Sequence, residues 1–499
     1  MIKKVVTLLC MQLAFCCTTF AANYLTFTAE EDSSAFSIED HNIKSNIFYS
    51  LDNGKTWNKL TDQPVSLAKG KRALLKGGKP NGTPSWRNYS NFKMEGAIAA
   101  SGSVMSLVDG NGEGKTIPYN YCFCKLFDDC SSLTKAPELP ATTLAKGCYT
   151  YMFFWCSSLT QAPQLPATTL AEGCYHEMFS GCTSLTQAPQ LPAIKLTDSC
   201  YYGMFNGCSS LTQAPELPAT TLAEMCYIDM FSGCRKLTKA PKLPATTLAE
   251  DCYNEMFSGC TSLTQAPELP ATTLADGCYF GMFNGCTNLT QAPKLPATSL
   301  AKECYREMFS ECELIEAPEL PATTLATGCY KGMFFNCTSL TKDPELPATT
   351  LATSCYSNMF YGCKSLIQAP ELPATTLAYG CYYGMFRECT SLKQAPKLPA
   401  TTLAERCYRL MFSGCTSLRQ APELPATTKT EGCYEGMFYG CENLSYIKVA
   451  FTDWGTGTDY WLEDVAENGT FICPKKLSIK YGENFIPKGW KIVNEDFNK

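Results

Sequence analysis

Cysteine is the reactive side chain this sequence supplies in quantity, and it recurs at a fixed offset. Twelve pairs eight residues apart run from Cys148 with Cys156, Cys174 with Cys182 and Cys200 with Cys208 through to Cys433 with Cys441. Cys122 with Cys130 makes a degenerate thirteenth pair, and Cys124 and Cys473 stand outside the pattern. Met1 to Ala21 reads as an export signal, and that density in an exported chain points to disulfides. Thiols are also among the most buried side chains, so the same spacing equally serves two reduced ladders of small apolar residues. A bridge needs Cα atoms about 4.4–6.8 Å apart, which requires the eight-residue segment to double back. Zinc is the weaker third chemistry. No Cys-x2-Cys tetrad occurs, and the two histidines, His41 and His176, do not recur with the cysteines. No metal or other cofactor is expected.

Nucleophilic catalysis would have to use one of those histidines as its base. His41 lies in the polar turn Glu39-Asp-His-Asn, and His176 fills a slot held elsewhere by Tyr202, Ile228, Asn254, Phe280 and Arg306. Both read as surface residues, and no enzyme is expected. Ser50-Leu-Asp52-Asn-Gly54-Lys-Thr56-Trp57 matches the Asp-box pattern known from sialidases. Its physics is that of a hairpin: Asp52 accepts backbone hydrogen bonds, Gly54 takes a positive φ and Trp57 packs beneath the turn. A glycosidase would also need a carboxylate pair in a cleft, which one hairpin does not supply.

The cysteines are held by a repeat. Between Cys122 and Cys441 one 26-residue unit recurs thirteen times, opening near Cys-Tyr-x-x-Met-Phe-x-Gly-Cys-Thr-Ser-Leu-Thr-Gln-Ala-Pro-Glu-Leu-Pro-Ala-Thr-Thr-Leu-Ala and closing with two variable residues, with one copy shortened to 25 at Glu313–Pro318. A unit this size cannot bury its own apolar face, so the copies must stack as a solenoid around a shared core. The row Phe153, Phe179, Phe205, Phe231, Phe257, Phe283, Phe360, Phe386 and Phe412 is the expected centre of that core. Cys-Tyr-x-x-Met-Phe is expected to form a short helical turn ended by glycine. Leu-Thr-Gln-Ala-Pro-Glu-Leu-Pro reads as a short parallel strand, kept short because its prolines remove backbone donors.

Met-Phe-x-Gly-Cys-Thr-Ser-Leu-Thr followed by Leu-Pro resembles the BspA-like, or treponemal-type, bacterial leucine-rich repeat, whose usual unit reads Ala-Phe-x-x-Cys-x-x-Leu-x-x-Ile-x-Leu-Pro. The resemblance covers about Cys122 to Ser445. The coil here is longer, with Ala-Pro-Glu where the family alternates apolar and polar residues. The resemblance implies a secreted or surface-exposed protein, and some members are similar to adhesins for matrix proteins such as fibronectin and fibrinogen.

These features divide the chain into a signal peptide at 1–21, an N-terminal β-sandwich-like capping domain at 22–115, the leucine-rich-repeat solenoid at 116–445 and a C-terminal cap at 446–499. The rival reading of the leader is a lipoprotein cut before Cys16 or Cys17. No later stretch is apolar enough to span a membrane. With a net charge of −6 and scattered Lys and Arg, there is no basic footprint for nucleic acid. The expected protein is a monomeric, exported binding scaffold for an extracellular or host protein or glycoprotein; a structural envelope component is the alternative. Two variable stripes are candidate contacts. One runs between Ala-Pro and Leu-Pro, from Glu138 and Gln164 to Lys397 and Glu423. The other, the better candidate, includes Tyr151, Tyr202, Phe280, Arg306, Tyr383 and Arg409, because exposed Tyr and Arg are typical interface anchors.

Overall fold

A computed structural model describes residues 22–495; the expected signal peptide and lipidation cysteines lie outside them. Residues near the N-terminus form strands β1 (Leu25–Ala29), β2 (Ser34–His41), β3 (Ile47–Ser50), β4 (Asn58–Lys59), β5 (Val65–Leu67), β6 (Arg72–Gly77), β7 (Tyr89–Glu95) and β8 (Ile98–Ser101). β2 pairs antiparallel with β5 and β7, while β1 lies between β6 and β8. Phe27 of β1 meets Phe36 of β2 edge-on at 5.2 Å and Phe92 of β7 at 5.0 Å, closing a core between the two sheets. One short helix, α1 (Ser106–Asp109), follows, ended by Gly110 at φ 78°. Strand β9 (Leu133–Lys135), in the first repeat, then pairs parallel with β8. The six-stranded sheet β4-β3-β6-β1-β8-β9 thus passes directly into the repeats.

The helical turn expected in each repeat is not formed. Cys-Tyr-x-x-Met-Phe is instead a run of overlapping turns, with residues such as Gly277, Gly281 and Gly285 at φ 59°, 54° and 68°. Its amides alternate. Cys278, Phe280, Met282, Asn284 and Cys286 donate to the carbonyl three residues back, whereas Tyr279, Gly281, Phe283 and Gly285 donate to Cys304, Arg306, Met308 and Ser310 of the next coil at 2.8–3.0 Å. A left-handed residue at every fourth position cannot continue an α-helix. It does turn every second amide along the stack, where a carbonyl of the next coil accepts it.

The proline side behaves in the opposite way. Coil-to-coil pairing there shrinks to single parallel bridges, such as Gln161 with Gln187 and Gln187 with Gln213. Full strands return only past the last Ala-Pro-Glu-Leu-Pro. β10 (Tyr446–Lys448), β11 (Thr470–Pro474) and β12 (Lys491–Glu495) form a parallel sheet. The turn ribbon also runs on, with Tyr434, Gly436, Phe438 and Gly440 donating to Gly457, Asp459, Trp461 and Glu463. The irregular, aromatic tail is therefore built on the same stacking plan as the repeats.

The core is a set of ladders. The phenylalanines from Phe127 to Phe438 stack ring on ring, as in Phe257–Phe283 at 5.8 Å and Phe283–Phe309 at 5.7 Å. A parallel tyrosine ladder, unanticipated from the sequence, runs from Tyr149 to Tyr434, with Tyr149–Tyr175 at 5.8 Å. Phe92 covers the first rung, 5.2 Å from Phe127. Trp461 lies 6.5 Å from Tyr434 at the far end and donates its indole N–H to the Phe485 carbonyl at 3.0 Å.

Candidate functional site

All 28 described cysteines are free thiols. Cys148, Cys156, Cys174, Cys182, Cys200 and Cys208, the residues of the expected bridges, are fully buried. Cys156 Sγ donates to the Phe127 carbonyl at 3.1 Å, Cys182 Sγ to Phe153 at 3.1 Å and Cys208 Sγ to Phe179 at 3.1 Å. The second thiol of each of these pairs is thus tied to the preceding coil rather than to its partner eight residues away. Burial pushes the Cys148 thiol up to about 12 and holds Cys174 and Cys182 far above the ordinary thiol range. Such thiols are poor nucleophiles and poor metal ligands, because both roles need the thiolate. Among the described residues no group of three or more His, Cys, Asp or Glu is placed to hold a metal ion.

The two histidines are engaged in packing. His41 stacks on Tyr89 at 4.5 Å and bonds Asn91 Oδ1 at 3.2 Å; His176 stacks on Tyr202 at 4.5 Å. The Asp-box hairpin is also complete in itself. Asp52 accepts from the Thr56 amide at 2.9 Å and the Thr56 hydroxyl at 2.7 Å, and Trp57 Nε1 donates to the Gly54 carbonyl at 3.1 Å. The Thr56 amide and hydroxyl hold the Asp52 carboxyl well below the usual carboxylate range.

The aromatic and arginine stripe is not the exposed row its composition suggests. Tyr151, Tyr202, Phe280, Arg306, Tyr383 and Arg409 are all half-buried, because at one coil's spacing each lies against its counterpart above or below. Arg306 covers the Phe280 ring at 4.9 Å and Arg409 the Tyr383 ring at 5.8 Å, while Arg409 pairs with Glu435 at 2.8 Å. The Tyr151 hydroxyl donates to Glu177 at 3.1 Å. Tyr151 belongs to a different column from the other five: it is one of the left-handed residues, at φ 56°, in line with Glu177, Gly203 and Asp229.

The proline-side stripe is exposed, from Glu138 and Gln164 to Lys397 and Glu423. Between consecutive rungs the surface is grooved. A groove of about 690 Å³ lies between Gln394–Pro399 and Gln420–Pro425, and others of about 440 and 400 Å³ lie at Asp343–Pro373 and beside the first coil at Lys135–Pro166. Prolines and alanines form their walls, and Gln394, Lys397, Gln420 and Glu423 rim one of them. The junction of the N-terminal strands with the first coils holds a further open groove, containing Trp86 and Tyr121, which spacing in the repeat could not reveal. Tyr151 is the lining residue that the sequence had marked as a candidate contact.

Stacked near-copies that share buried ladders and leave a shallow polar face outside define a leucine-rich-repeat interaction scaffold. The model of the BspA type leucine rich repeat region (6 copies) matches residues 120–264, 254–393 and 353–460, and the chain belongs to that family. No curated protein and no solved structure matches the chain. No helix among the described residues is long and apolar enough to cross a membrane.

Proposed function

We propose that this chain is an exported, non-enzymatic interaction scaffold. It is a thirteen-coil solenoid whose repeat surface engages a host or extracellular protein or glycoprotein through many weak, evenly spaced contacts. Residues 22–115 and 446–499 close its two ends, and it acts as a monomer. The observation that carries this reading is the exposed proline-side stripe, which offers one Glu, Gln or Lys per coil beside grooves walled by the same recurring prolines. A polymeric partner meeting several coils at once gains avidity far above that of a single contact.

In-register deletion of whole coils from the middle, with both ends kept, tests this against immobilised matrix proteins and mucin glycoproteins. Affinity is expected to fall steeply and non-linearly with each coil removed. Folded deletion variants that bind as tightly as the full chain would move the site to an end unit, and no binding by the full chain would favour an envelope component without a specific ligand. The shape has its own check. A compact chain of this length has a radius of gyration of about 23 Å, and small-angle scattering should give a clearly larger value.

A further inference from the structure

In a chain of near-copies, a coil that gains several side chains of one kind marks a local demand. The coil at 148–156 reads Cys-Tyr-Thr-Tyr-Met-Phe-Phe-Trp-Cys, where the next reads Cys-Tyr-His-Glu-Met-Phe-Ser-Gly-Cys. Following coils hold Ser180-Gly181, Asn206-Gly207 and Ser232-Gly233 in the slots of Phe154-Trp155. Trp155 is 56 % exposed and its ring lies across Gly181, where a β-carbon would stand 3.1 Å from it.

That coil sits beside a second exposed indole. Trp86, in the turn between β6 and β7, is 53 % exposed, with the Arg87 guanidinium 4.2 Å from its ring centre. Trp86, Tyr121, Tyr151 and His176 line one open groove of about 380 Å³, within the size range of small-ligand clefts. Gly147 and Gly173 also line it, and a β-carbon on Gly173 would point into open space. The aromatic surface continues outward from Tyr151 through Phe154, 5.3 Å away, to Trp155 a further 6.1 Å on.

We propose that this groove binds a neutral oligosaccharide. Aromatic faces left in water carry an apolar area that the C–H face of a sugar ring covers well, while hydroxyl, imidazole and carboxylate groups beside them meet the sugar hydroxyls. The lining itself is balanced in charge, since Lys146 is held by Glu172 at 2.6 Å, while Arg87 at the edge lies over the Trp86 ring at 4.2 Å. A lipid or an amphipathic helix is a poorer fit, since the lining between the rings is glycine backbone and a charged pair rather than aliphatic side chains. The site belongs to the junction and the first coils, so it stands apart from the proline-side reading, and deletion of middle coils leaves it in place.

The full-length protein should be titrated by calorimetry and by tryptophan fluorescence with cellotetraose, maltotetraose, chitotetraose and lacto-N-tetraose, and with sialyllactose and a heparin hexasaccharide as anionic counterparts. One or more of the neutral sugars should bind with a dissociation constant between ~10 μM and ~1 mM. Trp86→Ala should weaken that binding at least about tenfold and Trp155→Ala to a smaller degree, with Trp86→Phe retaining part of it and unchanged melting temperatures throughout. No heat or fluorescence change with any neutral sugar at about 10 mM, binding indifferent to Trp86→Ala, or preference for the anionic sugars would each overturn the proposal.

Discussion

The side chain of Leu410 occupies the space a β-carbon on Gly436 would need, with Cδ2 2.5 Å from that position. The two residues hold equivalent left-handed slots in successive coils, at φ 56° each. The same pairing recurs at Glu177 with Gly203, Glu255 with Gly281 and Glu307 with Gly332, where a large side chain on one coil lies over a glycine on the next. Gly436→Ala meets both a backbone penalty and this clash, and should cost about 2 kcal/mol. In a Leu410→Ala background only the backbone part of about 1 kcal/mol should remain, so a double-mutant cycle by chemical denaturation should show coupling between the two sites.

Phe283 lies mid-ladder between Phe257 and Phe309 and is wholly buried. Phe283→Ala should lower stability by about 3–5 kcal/mol, because neighbouring rungs cannot collapse into the space without leaving their own register. Glu268→Ala, on the exposed stripe, should be within about 0.5 kcal/mol of neutral. Equal losses in thermal melts would contradict the inward and outward assignment of these two columns.

Cys260 Sγ donates to the Phe231 carbonyl at 3.1 Å, and burial holds its thiol well above the ordinary range. Folded protein treated with iodoacetamide at pH 8 should therefore incorporate few labels. In denaturant without reductant, mass spectrometry should find all 28 described cysteines alkylated. Protection in denaturant that only a reductant removes would restore the disulfide alternative.

Asp229 sits at φ 53° on the turn face, its carboxyl raised to about 6 by partial burial first and by the nearby Glu255 carboxylate second. The folded state holds this proton more tightly than the unfolded chain does. The group therefore favours folding most below pH ~4, and its contribution declines as pH rises through ~6. Asp229→Asn should remove that decline and stabilise the protein by about 1 kcal/mol at pH 7, a value discounted for partial exposure. Melting curves from pH 4 to 7 should converge at the acid end. A constant offset at every pH would instead assign the gain to asparagine's tolerance of the left-handed backbone.

The repeat, its buried phenylalanine column and its exposed stripe were legible from the sequence because they follow from periodicity: whatever packs inward in one copy packs inward in all. The prolines likewise announced weak strands, and pairing at Gln161–Gln187 is a single bridge. What the sequence left open depends on contacts between residues a coil apart. Gly277, Gly281 and Gly285 at four-residue spacing were visible as letters, but only the stack shows that their left-handed backbone directs alternate amides to the next coil instead of closing a helix. The cysteine spacing admitted bridges and ladders alike, and the direction of Cys156 Sγ toward the Phe127 carbonyl in the preceding coil separates them. Arg306 and Phe280 looked like open contact residues until stacking laid one across the other. Trp86 and Tyr151, 65 positions apart in the chain, share a groove only because the N-terminal strands dock on the first coils. Local pattern determines which face of a repeat is apolar, whereas a hydrogen-bond partner or a shared cavity is a distance between remote segments, and that distance exists only once the chain has folded.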